Sequence, residues 1–416
     1  MKKRIELDNI KAKINSPISR IIVLTGARQT GKTTLAKEIF PEYAYFAIDD
    51  IVQTTQLKKM TAQQWHMHYP KAILDEVQLE PQLINTIKAT HDQFLNTRYI
   101  LLGSSQFLLL EKVKESLAGR CIIREIYPLT LPELLTDNKE DELKQSFFAD
   151  FILNRGKPEA LLPSFLLDKE CAKKKQVYDH YLKFGGYPIL THDMLSDDER
   201  YEWLQNYVRT FLERDIRDLA SFRDLEPFVK LQLYLANTTA SLINYSSIAK
   251  ETGVTVPTVK RYINYMILSY QFVSLPAWFS NPLKKLSKSP KIHMLDTGVL
   301  RVVLQKKGVL TGSEYESAIV AEIYKQIKVY NLSLNIYHLR TQDGKEIDLL
   351  LEGEDYFIAI EIKKTQNVNK TDVRNFSGLE EILTKPLKHC FVLSNDDQLK
   401  SFGKNITAIH AAMFLT

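Results

Sequence analysis

Gly26-Ala27-Arg28-Gln29-Thr30-Gly31-Lys32-Thr33 meets every fixed position of G-x-x-x-x-G-K-[ST], and Thr34 follows directly. This spacing serves to hold a polyphosphate. The glycines let backbone N–H groups turn inward, the lysine reaches the β and γ phosphates, and the threonine hydroxyl ligates Mg2+. Such a loop needs a strand before it and a helix N-terminus after it, because the helix end favours anions. The apolar run Ile21–Leu24 precedes it and the helical spacing of Leu35–Ile39 follows. A nucleoside triphosphate with Mg2+ is the expected ligand.

A second apolar run ends in two carboxylates, Ile73-Leu74-Asp75-Glu76. Asp75 is expected to hold the metal and Glu76 to orient and deprotonate a water. The next run, Tyr99–Leu102, leads into Gly103-Ser104-Ser105, which brings a hydroxyl of Ser104 or Ser105 beside the γ-phosphate. Arg120, in Ser116-Leu117-Ala118-Gly119-Arg120, reads either as a finger completing a neighbouring subunit's site or as half of a local ion pair. The letters of a guanine-reading N-K-x-D occur as Asn369-Lys370-Thr371-Asp372, but 337 residues beyond Lys32 and in the last part of the chain, so the match is read as accidental. ATP is favoured over GTP.

A different chemistry is written near the C-terminus. Asp348, Glu361 and Lys363 follow D-x12-E-x-K. Period two along a strand puts Glu361 and Lys363 on one face, with Ile360 and Ile362 on the other. Two carboxylates that bind Mg2+ beside a lysine that positions a water form an arrangement suited to phosphodiester cleavage. Glu316 or Glu322, on a preceding amphipathic helix, is a candidate further ligand. The competing readings are ordinary sheet-surface charges, or a nuclease-like fold that only binds.

The elements that must position these residues divide the 416-residue chain four ways. Apolar runs alternate with helical patterns over 1–138, as in a parallel α/β sheet. A helical connector over 139–235 breaks at Gly185-Gly186-Tyr187-Pro188. Residues 236–294 hold two short helical patterns and a lysine-rich stretch. The last part, 295–416, reads as one helix followed by three strands. Composition is that of a globular chain, 44% hydrophobic and 25% charged. No apolar run approaches the roughly 18 residues that span a bilayer, so a cytoplasmic protein without a membrane partner is expected.

The net charge is only +5, but residues 240–294 carry seven basic side chains against one acidic. Within them Ala249, Gly253, Thr255 and Pro257 have the spacing of a helix-turn-helix. Thr258, Lys260, Arg261 and Asn264 then form an exposed face for a DNA major groove, and Lys284, Lys285, Lys288 and Lys291 form a wing that grips phosphates. Packing on the ATPase part, or contact with another protein, is the alternative use. Cys121, Cys171 and Cys390 support neither a disulfide nor a zinc site. His66 and His68 lack a third ligand, and Trp65, Trp203 and Trp278 read as core or interface anchors.

The segments Gly26–Thr34, Leu74–Glu76, Gly103–Ser105 and Ser116–Arg120, followed by Gly185–Pro188 and Glu213-Arg214-Asp215, resemble the archaeal-type ATPases of bacteria and archaea. These are AAA-related P-loop proteins with a C-terminal domain of unknown function. The resemblance implies an AAA-like α/β core, a winged-helix segment and a small α/β domain similar to PD-(D/E)XK nucleases, but no substrate. The loop departs mildly in having Ala27 where such proteins often have proline.

The expected function is therefore ATP hydrolysis coupled to a DNA-binding, nuclease-like C-terminal half, in a homo-oligomer if Arg120 acts between subunits. Two rivals stand beside it. One is a slow ATP-dependent signalling switch whose C-terminal half recruits a protein. The other is a binding module whose P-loop is structural.

Overall fold

The computed structural model describes residues 1–13, 16, 20–103, 113, 115–153, 169–220, 225–281, 288–341 and 344–416, with backbone alone over 211–220. After helix α1 (Ile5–Lys13), the chain forms β1 (Ile21–Thr25), α2 (Lys32–Ile39), β2 (Ala44–Ala47), α3 (Ile51–Lys58), α4 (Ala62–His68), β3 (Lys71–Asp75), α5 (Pro81–Gln93), β4 (Arg98–Leu102) and β5 (Cys121–Glu125). The five strands make a parallel sheet in the order β2-β3-β4-β1-β5. This is a P-loop NTPase fold. Ile21 and Val23 face one apolar core while Ile22 and Leu24 face the other, as expected of a sheet covered on both sides. Strands β1 and β3 flank β4, so their last residues, Thr25 and Asp75, emerge at the same end of the sheet. Strand β5 had no matching apolar run. Its partly exposed Arg124 and Glu125 interrupt the pattern, as befits an edge strand.

Helices follow: α6 (Leu131–Leu135), α7 (Phe147–Leu153), α8 (Cys171–Phe184), α9 (Asp197–Ala220) and α10 (Glu226–Asn237). The expected break falls where α8 stops. Gly185, at φ 78°, takes a left-handed conformation that a side chain would strain. Next come α11 (Tyr245–Thr252) and α12 (Val256–Leu268), beside a three-stranded antiparallel sheet of β6 (Ser241–Leu242), β7 (Phe272–Leu275) and β8 (Lys291–Met294). Asn244 caps α11, Gly253 ends it at φ 71°, and Thr255 caps α12 with Pro257 in its first turn.

The remainder holds α13 (Thr297–Val303), α14 (Gly312–Val329), β9 (Asn335–Arg340), β10 (Glu346–Glu352), β11 (Phe357–Ile362), α15 (Leu379–Ile382), β12 (Leu387–Ser394), β13 (Lys400–Ser401), β14 (Ile406–His410) and α16 (Ala411–Leu415). Its sheet is mixed and six-stranded, in the order β13-β14-β12-β11-β10-β9. That is three strands more than the sequence pattern indicated. Lys388 and His389 break the apolar run of β12, β14 is only five residues long, and β13 only two.

One junction ties the three parts together. The Leu129 N–H donates to Gly186 O at 2.6 Å, and the Gly186 N–H donates to Asp296 Oδ2 at 2.8 Å. From α14, Lys325 Nζ donates to Leu129 O at 3.0 Å and Glu322 Oε1 accepts from the Leu131 N–H at 2.8 Å. A Cβ on Gly186 would fall 2.3 Å from Leu129 O, which explains the second glycine of the sequence break. Among the described residues no helix is long and apolar enough to cross a membrane.

Candidate nucleotide site and a C-terminal carboxylate cluster

The loop between β1 and α2 is fixed from within and from behind. Gly26 packs so tightly on Ile126 that a Cβ would lie 2.1 Å from the Ile126 carbonyl oxygen. Gln29 at φ 60° and Gly31 at φ 87° turn the backbone, and the Thr30 hydroxyl donates to Ala27 O at 2.9 Å. Behind the loop, Arg4 donates to Thr30 O and Tyr127 O, while its Nε pairs with the fully buried Glu133 at 3.2 Å. Lys32 Nζ lies inside the turn, donating to Gly26 O at 3.0 Å and Ala27 O at 2.7 Å. Ala27 is buried, Arg28 half-buried, and Gln29 and Thr34 exposed.

The two halves of the expected site meet. Thr33 Oγ1 donates to Asp75 Oδ2 at 2.6 Å, so the hydroxyl and carboxylate expected to hold Mg2+ are adjacent. Tyr45, on β2, donates from its hydroxyl to the same Asp75 oxygen at 3.0 Å. Burial, and then the Asp75 charge, raise the Tyr45 phenol above its usual range, so it stays a donor. Sequence reasoning missed Tyr45. Its one signal is a hydroxyl in an apolar strand, two residues before Ala47, which is in register with Asp75. Glu76 sits just past β3 at φ 54° and its carboxylate accepts from Gln78 Nε2. Gly103, whose N–H donates to Leu24 O at 3.2 Å, is the last described residue before Ser104 and Ser105, which lie outside the described residues.

Arg120 takes the ion-pair geometry. Its Nε donates to Asp92 Oδ1 at 2.8 Å, and that bond, with His91, holds the Asp92 carboxyl down at about 2. It precedes Cys121, which is in register with Ile21 at the start of β1. Arg120 therefore lies at the opposite end of the sheet from its own loop.

In the C-terminal part Asp348 is the third residue of β10 and Glu361 the last but one of β11, near one end of two inner, paired strands. Asp348 Oδ2 accepts from the Ile362 N–H at 2.8 Å, and Lys363 Nζ pairs with Glu361 Oε1 at 2.6 Å. Glu316 joins them from α14. Glu322 does not, since it is buried against Lys325 at 2.8 Å and serves the junction.

Lys291 requires a correction. It is no phosphate-gripping wing residue. It is 3% exposed, and its ammonium contacts Glu346 at 2.6 Å, Glu316 at 3.0 Å and Asp348 at 3.7 Å. Burial first, and for Glu316 and Glu361 the Asp348 charge second, raise the pKa values of Glu316, Asp348 and Glu361. Burial opposes the charge on Lys291, but Glu316 and Asp348 outweigh it and keep the ammonium protonated. Neither Lys291 nor Glu346 was read as part of this site. An apolar four-residue strand opening on lysine, and a glutamate just before Ile347, are weak signals. Among the described residues no group of three or more His, Cys, Asp or Glu is arranged to hold a metal ion.

On α12, Lys260, Arg261 and Asn264 are exposed and Thr258 is half-buried. Lys288 is exposed too, whereas Lys284 and Lys285 lie outside the described residues. His66 stacks on Phe94 at 4.1 Å, Trp65 and Trp278 are buried, and Trp203 stacks on Tyr207.

Residues 18–135 match a family described as an AAA domain. Residues 175–309 and 311–414 each match a domain of unknown function, DUF8612 and DUF4143. The chain is similar to an uncharacterised protein of Mycobacterium tuberculosis, 26% identical over 87% of this chain and 74% of that one. An uncharacterised protein of Haemophilus influenzae is 23% identical over 85% of each chain. Among solved structures, the Walker-type ATPase of Pyrococcus abyssi superposes with a TM-score of 0.44 at 16% identity, covering 73% of this chain and 97% of that one. The match to an AAA domain falls on the part of the chain that holds the P-loop and the five-stranded parallel sheet.

Proposed function

We propose that the protein binds and hydrolyses ATP. The observation that carries this reading is the contact of Thr33 with Asp75 beside a loop whose lysine points inward. Lys32 and the loop amides bind the phosphates, and Thr33 and Asp75 would hold Mg2+, which when bound would supply neutralisation of the phosphate charge. Tyr45 fixes the Asp75 carboxylate. Glu76 accepts the proton of the attacking water, and Ser104 or Ser105 contacts the γ-phosphate. Arg120 leaves Asp92 to reach the phosphates of a neighbouring copy in a homo-oligomer, since it lies far from its own loop. Steady-state phosphate release by the full chain, abolished in Lys32→Ala, tests the reading. Unchanged release in that variant overturns it.

The C-terminal half is proposed to contact DNA through the exposed face of α12, used as the reading helix of a winged helix. Asp348, Glu361 and Lys363 then stand as a nuclease-like phosphodiester site. The signalling reading, in which slow turnover controls recruitment of a protein without cleavage, draws support from one observation. Lys291 already occupies the carboxylate cluster. Incubation with plasmid and Mg2+ or Mn2+, with and without ATP, separates the two, because only the first produces nicks.

A further inference from the structure

We propose that Lys291 is a tethered cation that competes with a divalent metal for the C-terminal carboxylates, so the cluster admits a metal only when β8 withdraws. This rests on reading Asp348 and Glu361 as a divalent-cation site.

Four carboxylates converge here, and their oxygens are largely taken. Lys291 Nζ engages Glu316 Oε1, Glu346 Oε1 and Asp348 Oδ1. The other Asp348 oxygen accepts from the Ile362 N–H. Glu361 Oε1 holds Lys363, while its Oε2 is buried without a hydrogen-bond partner in a residue only 2% exposed. A buried carboxylate oxygen with no donor is costly, and a cation relieves that cost. As they stand these carboxylates are not arranged to hold a metal; a divalent ion beside Glu361 would need the Asp348 and Glu316 oxygens that now face the ammonium, and so would need the lysine gone.

The ammonium does not belong to the sheet that carries the carboxylates. It comes from β8, in the three-stranded sheet beside α11 and α12, and β8 is held to α14 by Ser317, whose hydroxyl donates to Met294 O at 3.4 Å and accepts from Thr239 Oγ1 at 2.9 Å. A displacement of that sheet by DNA on α12, or by nucleotide through the junction, would extract the lysine and leave the carboxylates uncompensated. Metal occupancy and docking of β8 are then mutually exclusive.

The test uses the full chain carrying Asp75→Asn, without nucleotide, so that the loop site contributes no metal signal. Mn2+ binding is followed by electron paramagnetic resonance in three proteins: this background, with Lys291→Met added, and with Lys291→Met plus Asp348→Asn. Lys291→Met is expected to bind Mn2+ at least tenfold more tightly than the background, and adding Asp348→Asn is expected to remove the gain. Equal affinity in the background and in the Lys291→Met protein would leave the metal site standing and overturn the competition. No Mn2+ binding by a folded Lys291→Met protein would overturn the metal-site reading itself. Should Lys291→Met not fold, amine acylation in the background protein supplies the readout. Mn2+ should raise modification of Lys291 several-fold by mass spectrometry, and bound Mn2+ with unchanged modification refutes displacement.

Discussion

Thr33 and Asp75 touch at 2.6 Å, joining the first turn of α2 to the end of β3 across the intervening strand β4. Each is useless to a metal–phosphate complex without the other. Lys32→Ala should therefore abolish ATP binding or nearly so, whereas Glu76→Gln should keep ATP bound and lose turnover by roughly two orders of magnitude or more, the usual share of a general base. Fluorescent-nucleotide binding and phosphate release measured side by side check both. Wild-type turnover in Glu76→Gln would remove the base from Glu76.

For Arg120 the expected result is loss of hydrolysis by about 10³-fold in Arg120→Ala with ATP affinity kept. Mixing this variant with Glu76→Gln should restore some active sites, since each supplies what the other lacks. A mixture that assembles but shows no recovery would leave Arg120 as the partner of Asp92 alone.

The exposed pair Lys260 and Arg261 gives a salt-dependence test. If both meet phosphates, changing both to alanine should weaken DNA binding and lower the slope of log K against log salt by about two. If they read bases, preference among sequences changes instead. Binding that keeps its slope and its preference excludes α12 from the interface.

Glu6 predicts a pH effect. It is 2% exposed in the first turn of α1, and burial raises its carboxyl from 4.5 to about 7. The folded state holds this proton more tightly than the unfolded chain, so the stability it contributes is complete below about pH 4.5 and is lost as pH rises through about 7. Glu6→Gln should match wild type at pH ~4 and exceed it at pH ~8.5 by roughly 3 kcal/mol. Urea unfolding across that range decides it, and parallel curves would mean Glu6 is solvated.

Gly186→Ala should cost about 1–3 kcal/mol by overpacking, since its Cβ would meet Leu129 O at 2.3 Å. The substitution touches neither candidate site. A variant of unchanged stability would show that the junction yields readily.

The loop site was legible because its chemistry is contiguous. Gly26 to Thr34 and Asp75 with Glu76 are short runs beside apolar strands, and the parallel sheet that aligns them follows from their alternation with helices. Tyr45 and Arg4 were not legible, since each reaches the site by tertiary placement alone. The C-terminal cluster shows the same limit more sharply. Asp348, Glu361 and Lys363 carry a spacing, but Lys291 comes from a different sheet and its charge, read locally, pointed outward. Glu316 and Glu322 had equal standing on one helix until packing turned Glu322 toward Leu131.

The helix α14 carries Glu316 at the carboxylate cluster and, six residues on and so about 9 Å further along its axis, Glu322 and then Lys325 at the back of the P-loop domain. Such a helix cannot be inherited by one half of the molecule alone. A chimera that joined this P-loop domain to a foreign tail would strand the Leu131 amide, and a tail cut free of it would bare a lysine built to sit against Leu129. Recombination among related genes should thus exchange the two ends together, and an insertion between them should be tolerated only on the side of the chain that leaves Gly186 and Leu129 in contact.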